Sequence, residues 1–156
     1  SSDVCSSDLL PRFQLRDPMT PQDPTVPAFD FTAFEDVSSA EVRIKNPATG
    51  APTPMAVTIA GPEHPERKRR TFARQRKLRA ALAKTGKLPV NDPEDDDAEE
   101  LEDLIAYTLG WTGAAVTYSP AAVREAYTDP KRRWLRDQVA AALQERERFT
   151  RSSASA

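Results

Sequence analysis

The sequence predicts an α+β fold that is mostly α, with a small N-terminal antiparallel β-hairpin followed by a bundle of about four helices. Three observations lead there. Ten of the 14 prolines lie before residue 66, and proline removes a backbone donor and pushes the preceding residue toward extended conformations. Between residues 41 and 60, two stretches alternate apolar and polar side chains, the period of half-buried strands. From Pro65 onward the chain is rich in helix formers, with proline and glycine confined to a few break points.

The elements follow in chain order. Ser1 to Leu9 resembles a widely used short-read sequencing adapter translated in frame, so residues 1–18 are set aside as non-native adapter or upstream read-through, with Met19 the expected native start. Residues 19–40 read as a flexible, proline-rich lead whose Phe29, Phe31 and Phe34 are candidate partner-binding side chains. A single domain is expected over 41–150. It opens with the hairpin 41–60, in which Val42 and Ile44 share one face of the first strand and Met55, Val57 and Ile59 one face of the second. Asn46-Pro47-Ala48-Thr49-Gly50 makes the turn between them.

Helices are expected at about 65–85, stopped by Gly86; at 98–109, with acidic residues in a first turn that suits the positive end of the helix dipole; at 120–128; and at 130–149. Ser119-Pro120 and Asp129-Pro130 each put an N-cap residue before a proline at the first helical position, where the missing N–H costs nothing. Trp111, Tyr127, Trp134, Val139, Leu143 and Phe149 are the expected structural core of this part. Residues 151–156 read as a disordered tail.

Composition narrows the function classes. The chain has 156 residues, 38% hydrophobic and 29% charged, with a formal net charge of -2. Leu, Ile, Val and Phe together number only 29, so the core is modest, while the near-zero net charge argues against wholesale disorder. No apolar run approaches the roughly 20 residues that span a bilayer, and the start lacks a basic-then-apolar signal pattern, so a soluble, intracellular protein is expected. A single Cys5 and a single His64 supply neither a disulfide framework nor a His/Cys metal set. His64, among prolines, reads as an exposed loop residue. Asp92-Pro93-Glu94-Asp95-Asp96-Asp97 lacks the alternating ligands and central glycine of a calcium loop. None of the common nucleophile-elbow, dinucleotide or phosphate-loop motifs occurs. No catalytic, cofactor-binding or metal residue is assigned, and no enzyme is expected.

Charge is segregated. Arg67 to Lys87 holds ten basic residues and no acid, whereas Asp92 to Asp103 holds nine acids and no base. Such a helix can neutralise phosphates, meet an acidic protein partner, or pair with the chain's own acidic segment through the short loop between them. Self-pairing weighs most and nucleic acid least, because an antiparallel return cancels much of the field. Arg67, Arg70 and Arg74 are candidate partner-binding residues.

One order of short motifs carries a family likeness. An acidic-to-apolar helix ending in Gly110-Trp111 is followed by Tyr118-Ser119-Pro120, Ala126-Tyr127, Asp129-Pro130, Trp134, Gln138-Val139 and Arg146-Glu147-Arg148-Phe149. Upstream stand the Asn46 to Gly50 turn, the strand Met55 to Ile59, and Gly61-Pro62-Glu63 leading into the basic helix. Over residues 40–150 this succession resembles the tail assembly chaperones of long-tailed bacteriophages. The resemblance implies a non-enzymatic protein that coats the tape-measure protein, recruits tail-tube subunits and is absent from the finished virion. It further implies the cytoplasm of an infected or lysogenic bacterial host, no membrane and no cofactor, with homo-oligomerisation left open. In many members of that family a ribosomal frameshift adds a second domain. The alternatives are another phage structural or head-tail connection protein, or a small phage DNA-binding protein using the basic helix 67–87.

Overall fold

The computed structural model describes residues 26–153. The expectations for residues 1–18, for the start of the lead at 19–25 and for the last tail residues 154–156 lie outside the described residues. Residues 26–31 belong to a separate unit, in which Phe29 and Phe31 are exposed. The fold below is that of the unit beginning at Thr32.

In chain order its elements are β1 (Phe34–Asp36), β2 (Ser39–Lys45), β3 (Pro52–Ala60), α1 (Pro65–Thr85), α2 (Pro93–Tyr107), β4 (Thr108–Thr112), α3 (Pro120–Thr128), α4 (Arg133–Gln144) and β5 (Thr150–Ser152), with 3-10 turns at Pro130–Arg132 and Arg146–Phe149. A three-stranded antiparallel sheet runs β2-β3-β4, and β1 pairs antiparallel with β5 in a second, two-stranded sheet. Val42 stands opposite Val57, and Val57 opposite Trp111. This register puts Val42, Ile44, Val57 and Ile59 on one face. There they pack with Leu104 and Tyr107 of α2, Val123 and Tyr127 of α3, and Val139 and Leu143 of α4. Side chains alternate across a strand, so one face of the sheet supplies half of the core and three helices the other half.

This architecture corrects the expected hairpin followed by a helical bundle. The segment 41–60 is not a free-standing hairpin but part of a sheet closed by β4, whose first two residues, Thr108 and Leu109, fall in what the sequence marked as helix 98–109. That helix instead starts at Pro93 and ends at Tyr107. Thr108 takes φ -85 and ψ 106, extended geometry, while its hydroxyl donates to the Leu104 carbonyl at 2.8 Å. A β-branched residue back-bonded to the preceding turn makes the change from helix to strand without a loop. The apolar spacing of the helix runs on through Leu109, which hides the break.

Two further boundaries change. The segment expected as one helix over 130–149 is a 3-10 turn, then α4, then a second 3-10 turn that folds Phe149 back into the core at 1% exposure. Gly61 makes room for it, since a Cβ there would stand 2.7 Å from Phe149 Cδ1 and 2.9 Å from the Val37 carbonyl oxygen. The Val37 N–H donates to the Phe149 carbonyl at 2.7 Å, carrying the chain from β1 past this ring. The expected tail 151–156 overlaps β5, which pairs with β1 in the expected lead: Phe34 opposite Ser152, Asp36 opposite Thr150. Pairing between segments so far apart leaves no local pattern.

Of the expected core, Tyr127, Val139, Leu143 and Phe149 are buried and Trp111 is half-buried. Trp134 is corrected, being 37% exposed. Successive helical residues turn by roughly 100°, and α4 buries Leu135, Arg136, Val139, Ala142 and Leu143, a face from which Trp134 points away. Truncating Phe149 to alanine should therefore cost about 3–5 kcal/mol, and Trp134→Ala no more than about 1.5 kcal/mol. Chemical denaturation of both variants measures the contrast, and equal losses would contradict it.

Candidate functional site

Two strands, a loop and two helices meet in an apolar cleft of about 240 Å³. Met55 comes from β3, Trp111 from β4, Ala114, Ala115 and Val116 from the following loop, Ala122 and Ala126 from α3, and Leu135 from α4; Glu125 and Arg132 stand at its edge. The hollow exists because four lining positions are alanine, too small to fill the space that the indole and Leu135 hold open. Its volume falls below the roughly 300–1,000 Å³ of small-molecule pockets, which suits one or two apolar side chains of a larger partner.

The loop 113–119 is held in place along its length. The Trp111 indole N–H donates to the Val116 carbonyl at 2.8 Å, and the Tyr118 ring meets Trp111 edge-on at 5.7 Å and 86°. The Tyr118 hydroxyl donates to the Thr108 carbonyl at 3.1 Å. Ser119 caps α3, its hydroxyl accepting from the Ala122 N–H at 3.0 Å with Pro120 in the first turn. Gly113 opens the loop at φ 71, and a Cβ there would lie 2.0 Å from the Pro54 carbonyl oxygen. No other residue type fits that approach.

The three arginines expected to meet a partner face inward instead. Arg67 donates to the carbonyls of Ala60 (3.3 Å) and Leu143 (3.2 Å) and lies 5.5 Å over the Tyr107 ring. Arg70 bonds Asp103 at 2.9 Å and Glu66 at 3.2 Å, and Arg74 bonds Glu99 at 3.2 Å and also Asp103. The short loop returns α2 antiparallel to α1, which brings the acids onto the face these arginines share. Hydrogen bonds from Arg69 and then Arg70 hold the Glu66 carboxyl below its usual range. Phe34 is 46% exposed on β1. His64, expected in an open loop, is the half-buried N-cap of α1, its Nδ1 accepting from the Glu66 N–H at 3.2 Å.

One polar residue of the core gave no sequence signal. Arg136, amid a charged helix, is 5% exposed and grips Asp97 through both guanidinium nitrogens, at 2.8 and 3.3 Å, with a third bond to the Asp97 carbonyl at 3.2 Å. Arg136 holds the Asp97 carboxyl below its ordinary 3.8. Among the described residues no group of three His, Cys, Asp or Glu side chains is arranged to hold a metal ion, and no helix is long and apolar enough to cross a membrane. In comparisons with known proteins, no family model, no curated protein and no solved structure matches the chain.

Two outcomes follow. Gly113→Ala should cost about 2–4 kcal/mol, because the backbone of β3 or of the loop must shift; thermal melting close to the parent's would refute the close approach. Asp97 has a depressed folded-state pKa, so its contribution is present above 3.8 and lost as pH falls through the lower folded value. The melting-temperature gap between the parent and Asp97→Asn should thus be full at neutral pH and close at pH below 3.8. A gap that is constant with pH would assign the loss to something other than the charge.

Proposed function

We propose that this chain is a non-enzymatic assembly chaperone of a long-tailed bacteriophage, which binds the tape-measure protein and helps recruit tail-tube subunits in the cytoplasm of the bacterial host. The cleft between β4, the loop 113–119 and α3 is the observation that carries the reading. An amphipathic helix is recognised by apolar side chains seated in such a hollow, with charged groups at the rim setting its direction. Here Trp111, Val116 and Leu135 supply the apolar walls and Glu125 and Arg132 the rim. The order of motifs from Asn46 to Phe149 supports the same reading.

Co-expression with a tape-measure protein encoded beside this chain tests it. The tape-measure protein should move into the soluble fraction and co-elute with the chaperone on gel filtration. Ala115→Arg, which sets a long cation in the mouth of the cleft, should abolish co-elution at unchanged melting temperature. Equal solubility of the tape-measure protein without this chain, and no complex, would end the reading.

A further inference from the structure

α1 is anchored at one end only. Arg67, Arg70 and Arg74 tie its first turns to the core and to α2, but beyond Arg74 and Glu99 no ion pair joins the two helices among the described residues. Residues 75–85 are all exposed except half-buried Ala81. A free helical segment of this length is marginal in water, and Arg76 and Arg79 repel one another at i,i+3 spacing.

Arg76, Lys77, Arg79, Lys84 and Lys87 have no acidic partner among the described residues, and neither Asp92, Glu94, Asp95 nor Asp96 has a basic one. Both unmatched patches lie at the same end of the α1–α2 helical pair, one on each helix. Leu78, Leu82, Leu88 and Val90 are exposed at that same end. A two-fold interface demands this arrangement: the contact is made by one patch on both copies, so each copy must carry both halves of every complementary pair.

We infer that a second copy of this chain covers the free end of α1. The cationic end of α1 lies on the acidic start of α2 of the other copy, twice over, with the exposed leucines and Val90 buried between them. A phosphate polymer fits less well, because the acids of Asp92 to Asp96 stand beside the cations it would have to reach. This inference is independent of the chaperone reading.

Sedimentation of the full chain decides it. The parent should sediment as a dimer at about 0.1 M salt and dissociate at about 1 M, where the screening length falls from about 10 to about 3 Å. Converting Arg76, Lys77 and Arg79 to glutamate should give a monomer, as should converting Glu94, Asp95 and Asp96 to lysine. Mixing the two variants should restore a dimer, since each then offers the charge the other lacks; that recovery also shows both are folded. A monomeric parent at every salt concentration overturns the inference, as does a dimer unmoved by either set of changes. A monomeric parent that binds duplex DNA with an affinity falling steeply in salt overturns it in favour of phosphate recognition.

Discussion

Thr108 is the residue at which a helix becomes a strand, and most of the fold depends on how its hydrogen bonds are satisfied. Its hydroxyl reaches back to the Leu104 carbonyl and also meets the Tyr127 hydroxyl at 2.8 Å, while its own carbonyl accepts from Tyr118. The α2 helix, the β4 strand, the loop 113–119 and α3 are thereby joined at one buried point. Burial pushes the Tyr127 phenol up to about 12, still further from ionising than a solvent-exposed tyrosine. Had the helix continued for one more turn, β3 would have an open edge where β4 now lies, and Trp111 would not reach the position from which it shapes the cleft.

The charges are ordered by a similar rule, in which distance from the core decides what each one does. Arg136 and Arg67 lie inward, and each finds several oxygen acceptors, as desolvated guanidinium groups must. Arg70 and Arg74 are part-buried between helices and share Asp103. The cations farther along α1 pair with nothing among the described residues. A net charge of -2 thus conceals a gradient from structural ion pairs at one end of α1 to unmatched charge at the other. Uncommitted charge is thus confined to the unmatched end, because the arginines nearer the core already hold acids or carbonyls.

The cleft and the free helix end are built by opposite means. In the cleft, alanines withhold volume while a hydrogen-bonded loop keeps the walls from collapsing inward, so an apolar side chain gains contact without moving the protein. At the free end of α1 little holds the helix, so anything that docks there would supply order as well as contact.

What the sequence determined by itself is local. Ser119-Pro120 and Pro65 with Gly86 carry their own start and stop chemistry, and the alternation of Val42, Ile44, Val57 and Ile59 assigns a buried face without reference to anything distant. The stripe of Val139 and Leu143 does the same for α4. What only the tertiary structure decided is where local signals run on into something else or point two ways. Leu109 continues a helical pattern that Thr108 has already ended, because the deciding bonds come from Tyr127 and Tyr118. Trp134 and Phe149 are both large aromatics near α4, and only the space beside Gly61 and the phase of the helix send one inside and leave the other in solvent. The two-stranded pairing of β1 with β5, the inward turn of Arg67 and Arg136, and the cleft itself all arise from segments far apart in the chain. Such contacts join residues distant in sequence, and a linear reading holds no trace of which distant group will supply the missing hydrogen bond.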